Sequence, residues 1–255
     1  MSCQRARGKK NGVASSAIFM AAQKGIFIML KKVISLLLIV ACCFTTTAFA
    51  EGKLKATEKN LIVYGTESYF FAKVENVGDA PIATGNGDLV VFTEDDEILF
   101  STNYVSTLPS DVVLQPGESL FVRDSEWEDA LETNPVTDYK FSISPSNYSA
   151  DTIIQVPSEA TFEYSEEDIY DNYVYVTLTN TTDAPVSNFY VVAALRDADG
   201  ALIYVSNDSL YNVAVHPGST VTVQLSIDSD LCRYYAENGV TIASVESMAC
   251  AISED

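Results

Sequence analysis

A long internal repeat constrains the fold of this 255-residue chain more than any other feature. Residues 69–82 read YFFAKVENVGDAPI, and residues 173–186 read YVYVTLTNTTDAPV. In each copy a strand-like run ends at an Asn, Asn76 or Asn180, and a turn ending in Asp-Ala-Pro follows. The two copies are offset by 104 residues. The chain therefore carries the same strand-and-turn unit twice.

The repeat stays in register beyond the turn. Residues 95–100 (DDEILF) match residues 199–204 (DGALIY) at the same offset, and Pro116-Gly117 matches Pro217-Gly218 at an offset of 101. A period near 100 residues is too long for solenoid or propeller repeats. It indicates that a whole domain has been duplicated.

Hydrophobic residues alternate with a period of two, which indicates β-strands. One short helical segment interrupts each copy, at residues 125–131 and at residues 229–236 before an Asn238-Gly239 cap. We therefore predict an all-β protein of two tandem immunoglobulin/fibronectin-like β-sandwich domains, each with one short helix before its last strand. The first covers residues 51–146 and the second residues 147–255.

The order of these signals resembles the FxLYD-type domains of secreted bacterial proteins. It runs from strand and Asn through an aliphatic strand and an acidic hairpin, Asp197-Ala198-Asp199-Gly200, to an aromatic strand and Pro-Gly. At the position of the namesake motif the second copy has residues 190–197 (YVVAALRD), and the first copy has an acidic run. The resemblance covers most of both copies. It implies a small immunoglobulin-like sandwich and leaves the function open.

The first fifty residues have the features of an export signal. They hold seven Lys and Arg and no acidic residue, and a short apolar run, residues 33–41, precedes Ala48-Phe49-Ala50. This pattern predicts a signal peptide cleaved after Ala50, with Met29 as the true start. The apolar run is too short to span a membrane. The segment before Cys42 also resembles a lipobox, so the alternative is a lipoprotein anchored at Cys42.

The predicted mature chain is strongly acidic. Residues 1–50 hold seven of the fifteen basic residues and none of the thirty-five acidic ones, so the remainder carries a net charge of −27. Such a surface repels nucleic acid and anionic membranes, which excludes both as partners. The charge then promotes solubility, collects cations or faces a basic partner.

Two cysteines follow the signal segment, Cys232 and Cys250. In an exported protein an isolated pair is expected to form a disulfide. The alternative is two buried thiols.

The acidic hairpin turns are candidates for a weak calcium site, with Asp95, Asp96, Asp197 and Asp199 as ligands. A full EF-hand loop would need further oxygen ligands and a closing Glu. A plain hairpin turn explains the same residues, and it is the interpretation that we favour.

The sequence predicts no catalytic residue and no cofactor. His216, the single histidine, precedes Pro217-Gly218 and is interpreted as a turn residue. Trp127 is expected to anchor the core from its helical segment, with a sugar-stacking platform as the alternative.

These features favour a non-enzymatic secreted module that binds or adheres at the cell surface. Its partner would be an unidentified protein or glycan. A carbohydrate-binding module is the first alternative, and an unrecognised hydrolase is the second.

Overall fold

The computed structural model describes residues 51–148 and 150–253. The expected signal peptide, the start at Met29 and the lipidation site at Cys42 lie outside these residues. Within them, no helix is long and apolar enough to cross a membrane. The predicted all-β class is confirmed, since strands dominate and the described residues contain a single α-helix.

The first half contains eight strands and one turn of 3-10 helix. Their bounds are β1 Leu54–Tyr64, β2 Glu67–Asn76, β3 Ile82–Thr93, β4 Ile98–Val105, β5 Thr107–Leu108, β6 Val112–Leu114, β7 Ser119–Trp127, the 3-10 helix Asp129–Glu132 and β8 Val136–Pro145.

The second half contains seven strands and the α-helix. Their bounds are β9 Asp151–Val156, β10 Ser158–Glu163, β11 Tyr173–Thr179, β12 Phe189–Asp197, β13 Leu202–Leu210, β14 Thr220–Ser226, α1 Ser229–Asn238 and β15 Ile242–Ser253.

The sequence repeat is matched by a repeat in strand pairing. In the first half β1, β2 and β7 are neighbours in one sheet, and β4, β3 and β8 are neighbours in another. The second half repeats both sets as β10-β11-β14 and β13-β12-β15. Every pair within these sets is antiparallel. The duplicated segments therefore build equivalent strands.

The two halves are joined more closely than two separate sandwiches would be. The short strand β6 pairs with β3 on one side and, in parallel, with β9 on the other, so one sheet continues from the first half into the second. The larger hydrophobic cluster also takes residues from both halves, among them Phe71 and Tyr204, whereas a smaller cluster around Phe70 and Val91 belongs to the first half alone.

Strand β2 explains this shared core because both of its faces are buried. Phe70, Ala72 and Val74 face the core of the first half. Tyr69 and Phe71 point the other way, and Phe71 packs against Tyr204 with ring centres 5.8 Å apart. The alternation expected of a strand is present, but its second face meets the other half of the protein in place of water.

Asn76 connects three segments where the first copy of the repeat ends. It is fully buried, and its Nδ2 donates to the carbonyl oxygens of Ala80 at 2.8 Å and Leu114 at 3.0 Å. Its Oδ1 accepts from the backbone N–H groups of Lys53 and Gly78, each at 3.1 Å. The amide thus fixes the turn against the strand that precedes Pro-Gly.

Asn180 repeats this arrangement in the second copy. It is also fully buried, and its Nδ2 donates to the carbonyl oxygens of Ala184 at 2.9 Å and Val215 at 2.7 Å. Its Oδ1 accepts from the N–H of Thr182 at 2.9 Å. The motif that defines the sequence repeat is therefore a buried hydrogen-bond junction, which such polar groups need in order to be buried at low cost.

The two predicted helical segments have different outcomes. The second is confirmed as α1: Asp228 caps it by accepting from the N–H of Asp230 at 3.0 Å, and Gly239 ends it with a φ of 64°. In the first, residues 125–127 continue β7, because they pair with Tyr69, Ser68 and Glu67 of β2. The 3-10 turn begins only at Asp129.

Candidate functional site

An open groove lies between strand β4 and the end of β7. Its volume is about 250 Å³, and its lining residues are Phe100, Ser101, Thr102, Asn103, Tyr104, Glu126, Trp127 and Glu128. Two of its aromatic side chains are largely in solvent, since Tyr104 is 77% exposed and Trp127 is 67% exposed. The prediction that Trp127 anchors the core is therefore wrong.

Strand geometry explains the exposure of Trp127. It is the last residue of β7 and pairs with Glu67 at the start of β2, where the sheet ends. The indole Nε1 donates to Asp129 Oδ1 at 3.2 Å, which orients the ring at the start of the 3-10 turn. Leu131 takes the buried position in this turn, at 6% exposed.

The opposite wall of the groove is an edge strand. β4 pairs with β3 alone and ends the order of the large sheet. Its eight residues include neither a charged residue nor a proline, the two features that commonly protect such edges. Ile98 is 63% exposed on this strand. An uncharged β4 segment without proline was therefore the sequence signal that could have predicted this exposed edge.

Acidic side chains border the groove. Glu126 and Glu128 are among its lining residues, and Asp124 lies on the same face of β7 as Glu126, two residues earlier. Burial raises the pKa of Asp124, and the neighbouring charge of Glu126 raises it further. Among the described residues, Asp124 Oδ2 is the buried side-chain polar atom without a hydrogen-bond partner. The groove therefore combines aromatic faces with negative charge.

The calcium candidates occupy two separate hairpin turns. Asp95 and Asp96 lie in the β3–β4 turn, and Asp197 and Asp199 lie at the β12–β13 turn. Asp197 Oδ1 accepts from the N–H of Asp199 at 3.0 Å and of Ala201 at 2.8 Å, so it stabilises its own turn. In residues 51–148 and 150–253, no three His, Cys, Asp or Glu side chains come together in a group that could hold a metal ion.

The two cysteines are free thiols, in place of the expected disulfide. Cys232 is buried on α1, where its Sγ accepts from Asn172 Nδ2 at 3.5 Å. Cys250 is buried on β15, in the register position opposite Tyr190 of β12 and Gln155 of β9. Each thiol thus packs among its own neighbours, as in the alternative of two buried thiols.

His216 lies in an exposed turn, as the sequence suggested. Its carbonyl oxygen accepts from the N–H of Ser219 at 3.0 Å, which closes the Pro-Gly turn before β14. The residue is thus part of the turn that presents Gly218 to Asn180, where the Gly218 N–H donates to the Asn180 carbonyl at 2.8 Å.

Comparison with known proteins gives little guidance on the groove. No protein-family model matches the chain, and no curated protein matches it. Among solved structures, a β-glucuronidase from glycoside hydrolase family 2 aligns with 82% of this chain at 10% identity and a TM-score of 0.19. The chain spans 22% of the length of that enzyme. A TM-score this low supports no assignment of fold or function.

Proposed function

We propose that this protein is an exported, non-catalytic binding or adhesion module, built from two immunoglobulin-like β-sandwiches in tandem and acting at the cell surface. The repeated strand pairing supports the tandem architecture. The signal-like residues 1–50 support export, with release after Ala50 or anchoring at Cys42 as the two routes.

One observation carries the proposal: Trp127 and Tyr104 expose two aromatic rings beside a groove. Two exposed rings beside one groove form an apolar patch whose burial would gain free energy, and such a patch on a folded surface is typical of a contact site. Loops and strand ends at one end of a sandwich commonly carry binding residues.

Replacing Trp127 tests this assignment. The chain from residue 51 to residue 255 is applied to envelope preparations of its native host, alongside Trp127→Ala and Tyr211→Ala. Tyr211 is a matched control, because it is 71% exposed and outside the groove. We expect Trp127→Ala to lose retention and Tyr211→Ala to keep it. Equal retention of all three proteins would contradict a binding role for the groove.

A carbohydrate ligand is the second candidate, and the exposed indole favours it. Aromatic faces stack on the apolar faces of pyranose rings, and Asn103 and Thr102 add polar groups beside the rings. A glycan array probed with wild type and Trp127→Ala tests this candidate. Binding that depends on Trp127 would support a sugar ligand, and no binding by either protein would contradict one.

The hydrolase alternative would use the carboxylate pair of Asp124 and Glu126, since a raised pKa is typical of a general acid. Our proposal is that the pair contributes charge to a binding surface. A panel of chromogenic glycosides and esters decides between the two roles, because turnover lost in Asp124→Asn would establish an enzyme.

A further inference from the structure

The repeat allows each surface of one half to be compared with its counterpart in the other. β4 corresponds to β13, which matches Phe100 with Tyr204 at the offset of 104 residues. Glu128 and Asp228 correspond in role, because each caps the helix that follows β7 or β14. The groove beside Trp127 therefore has a counterpart in the second half, at Tyr204 and Asp228.

The protein itself fills that counterpart. Arg123, from the first half, places its guanidinium carbon 5.4 Å from the centre of the Tyr204 ring. Its Nη2 lies 3.9 Å from Asp228 Oδ2. Phe71 covers Tyr204 from the same half, and Tyr204 is only 1% exposed. The second half thus receives an arginine side chain flanked by an aromatic ring.

The capping carboxylates of the two halves each use one oxygen to accept a backbone N–H of the helix that follows. Asp228 uses Oδ1 to cap α1, and its Oδ2 faces Arg123. Glu128 uses Oε1 to accept from the N–H of Ala130 at 3.3 Å. Within the described part of the chain, Glu128 Oε2 makes no hydrogen bond or ion pair. The oxygen that corresponds to the arginine acceptor is therefore available.

The groove also offers rings on which a guanidinium can stack. Phe100 occupies the position of Tyr204 but is only half-buried, and Tyr104 and Trp127 add two exposed faces. Glu126 contributes a second carboxylate at the same rim. A planar cation gains from both, since it stacks on aromatic faces and pairs with carboxylates at once.

We propose that the Trp127 groove binds an arginine side chain presented by another protein, with the guanidinium stacked on the aromatic rings and paired with Glu128. This inference rests on the proposed binding function and names the chemistry of the partner. The net charge of −27 over residues 51–255 favours a basic partner. A second copy of this protein could not fill the groove with the second half in the way that the first half fills the Tyr204 site. The residue of the second half that corresponds to Arg123 is Gln224, which carries no charge.

The single tryptophan of the chain makes the test direct. Emission of Trp127 is followed while residues 51–255 are titrated with an acetylated, amidated Val-Arg-Val peptide. The matched peptide carries citrulline, which keeps the shape of arginine and lacks its charge. We expect a saturable change with the arginine peptide and binding roughly tenfold weaker with the citrulline peptide. Added salt should weaken binding of the arginine peptide and leave binding of the citrulline peptide unchanged.

A variant pair tests the carboxylate. Glu128→Gln keeps an amide oxygen for the cap, so the fold is retained, and circular dichroism checks it. Glu166→Gln makes the same charge change at an exposed position outside the groove. We expect the arginine peptide to bind Glu128→Gln about fivefold more weakly than wild type and Glu166→Gln equally well.

Each outcome separates this inference from the proposed function. Equal binding of the two peptides, or equal effects of the two variants, would overturn the arginine assignment. A glycan that shifts Trp127 emission where the arginine peptide does not would also overturn it and leave the binding function standing. Failure of both ligands, together with unchanged envelope retention of Trp127→Ala, would remove both proposals.

Discussion

Buried asparagines show how a single side chain can specify a turn in this protein. Asn76 and Asn180 each satisfy backbone groups from the turn that follows and from the strand before Pro-Gly. Asp in the same place would lose the Nδ2 donor, and Ala would lose both groups. This requirement explains why Asn recurs at this position of the repeat.

Replacing Asn180 with Ala should destabilise the protein by about 1–2 kcal/mol, because the carbonyl oxygens of Ala184 and Val215 each lose one of their two donors. Urea unfolding measures the change. Asn86→Ala is the control, since Asn86 is exposed on β3 and should tolerate the substitution. A loss no larger than that of the control would contradict the role of the junction.

Asp124 illustrates the opposite case, a side chain that the fold does not satisfy. Its counterpart in the second half is Leu225, which is buried among apolar residues. Burial, with the charge of Glu126, raises the pKa of Asp124, so the folded state binds its proton at a higher pH than the unfolded state. The carboxylate therefore costs stability above its folded pKa, and the cost disappears as the pH falls towards the ordinary value of 3.8.

Asp124→Leu should accordingly stabilise the protein at neutral pH by about 1–2 kcal/mol, the cost of an unpaired buried oxygen. The gain should shrink as the pH is lowered, because the wild-type carboxyl is then protonated. Thermal unfolding across this pH range measures both effects. A gain independent of pH would show that packing alone is responsible.

At the scale of elements, local signals predicted the turns and α1 well. Asp228 and Gly239 are caps that depend on a few neighbouring residues, and the same holds for the hairpin turns. The sequence placed Trp127 in a helix because its segment begins with a Ser followed by acidic residues, which are typical of a helix start. In the structure, pairing with β2 keeps Trp127 in a strand. That pairing depends on residues about sixty positions away, which no local pattern records.

The contact between the two halves could not be predicted from local sequence patterns either, because it joins residues that are far apart in the chain. Arg196 on β12 bonds to Glu58 of β1 and, at 3.0 Å, to Glu246 of β15, and Lys73 of β2 bonds to Glu246 at 2.6 Å. Burial by itself would raise the pKa of Glu246, but the bonds from Lys73 and Arg196 lower it overall. A lowered pKa contributes stability that is lost as the pH falls through the folded value.

Arg196→Met should cost about 1–2 kcal/mol at neutral pH, since it leaves two half-buried carboxylates short of a cation. The difference from wild type should narrow in acid, where Glu246 becomes protonated. Arg233→Met is the control: its pair with Asp230 lies within one helix and both side chains are 42% exposed, so a smaller change is expected. Urea unfolding at several pH values tests the pair of variants, and equal losses would refute the coupling.

At the scale of the whole molecule, the two halves contain equivalent strand sets and share one hydrophobic cluster. The described residues, 51–148 and 150–253, belong to one compact unit. Phe71 and Tyr204 pack together across the two halves, and Tyr69 and Phe121 belong to the same hydrophobic cluster. The domain boundary predicted after residue 146 therefore marks where the second copy of the repeat begins, and the larger hydrophobic cluster extends across it.

Unfolding of residues 51–255 should thus be a single cooperative transition. Emission of Trp127 reports the first half, and far-ultraviolet circular dichroism reports all strands, so the two curves should coincide. Phe71→Ala should cost about 3–5 kcal/mol and separate the curves, because it removes the ring that packs on Tyr204. Separate transitions in wild type would contradict a shared core.

The buried thiols of Cys232 and Cys250 can report local opening of the fold through their rate of alkylation. Burial raises the pKa of Cys232 to about 11 and that of Cys250 to about 12, so the nucleophilic thiolate is scarce while the chain is folded. An alkylating reagent can then reach either sulfur only when α1 or β15 detaches. The rate at which a native sample takes up label would consequently measure how often each of these elements opens.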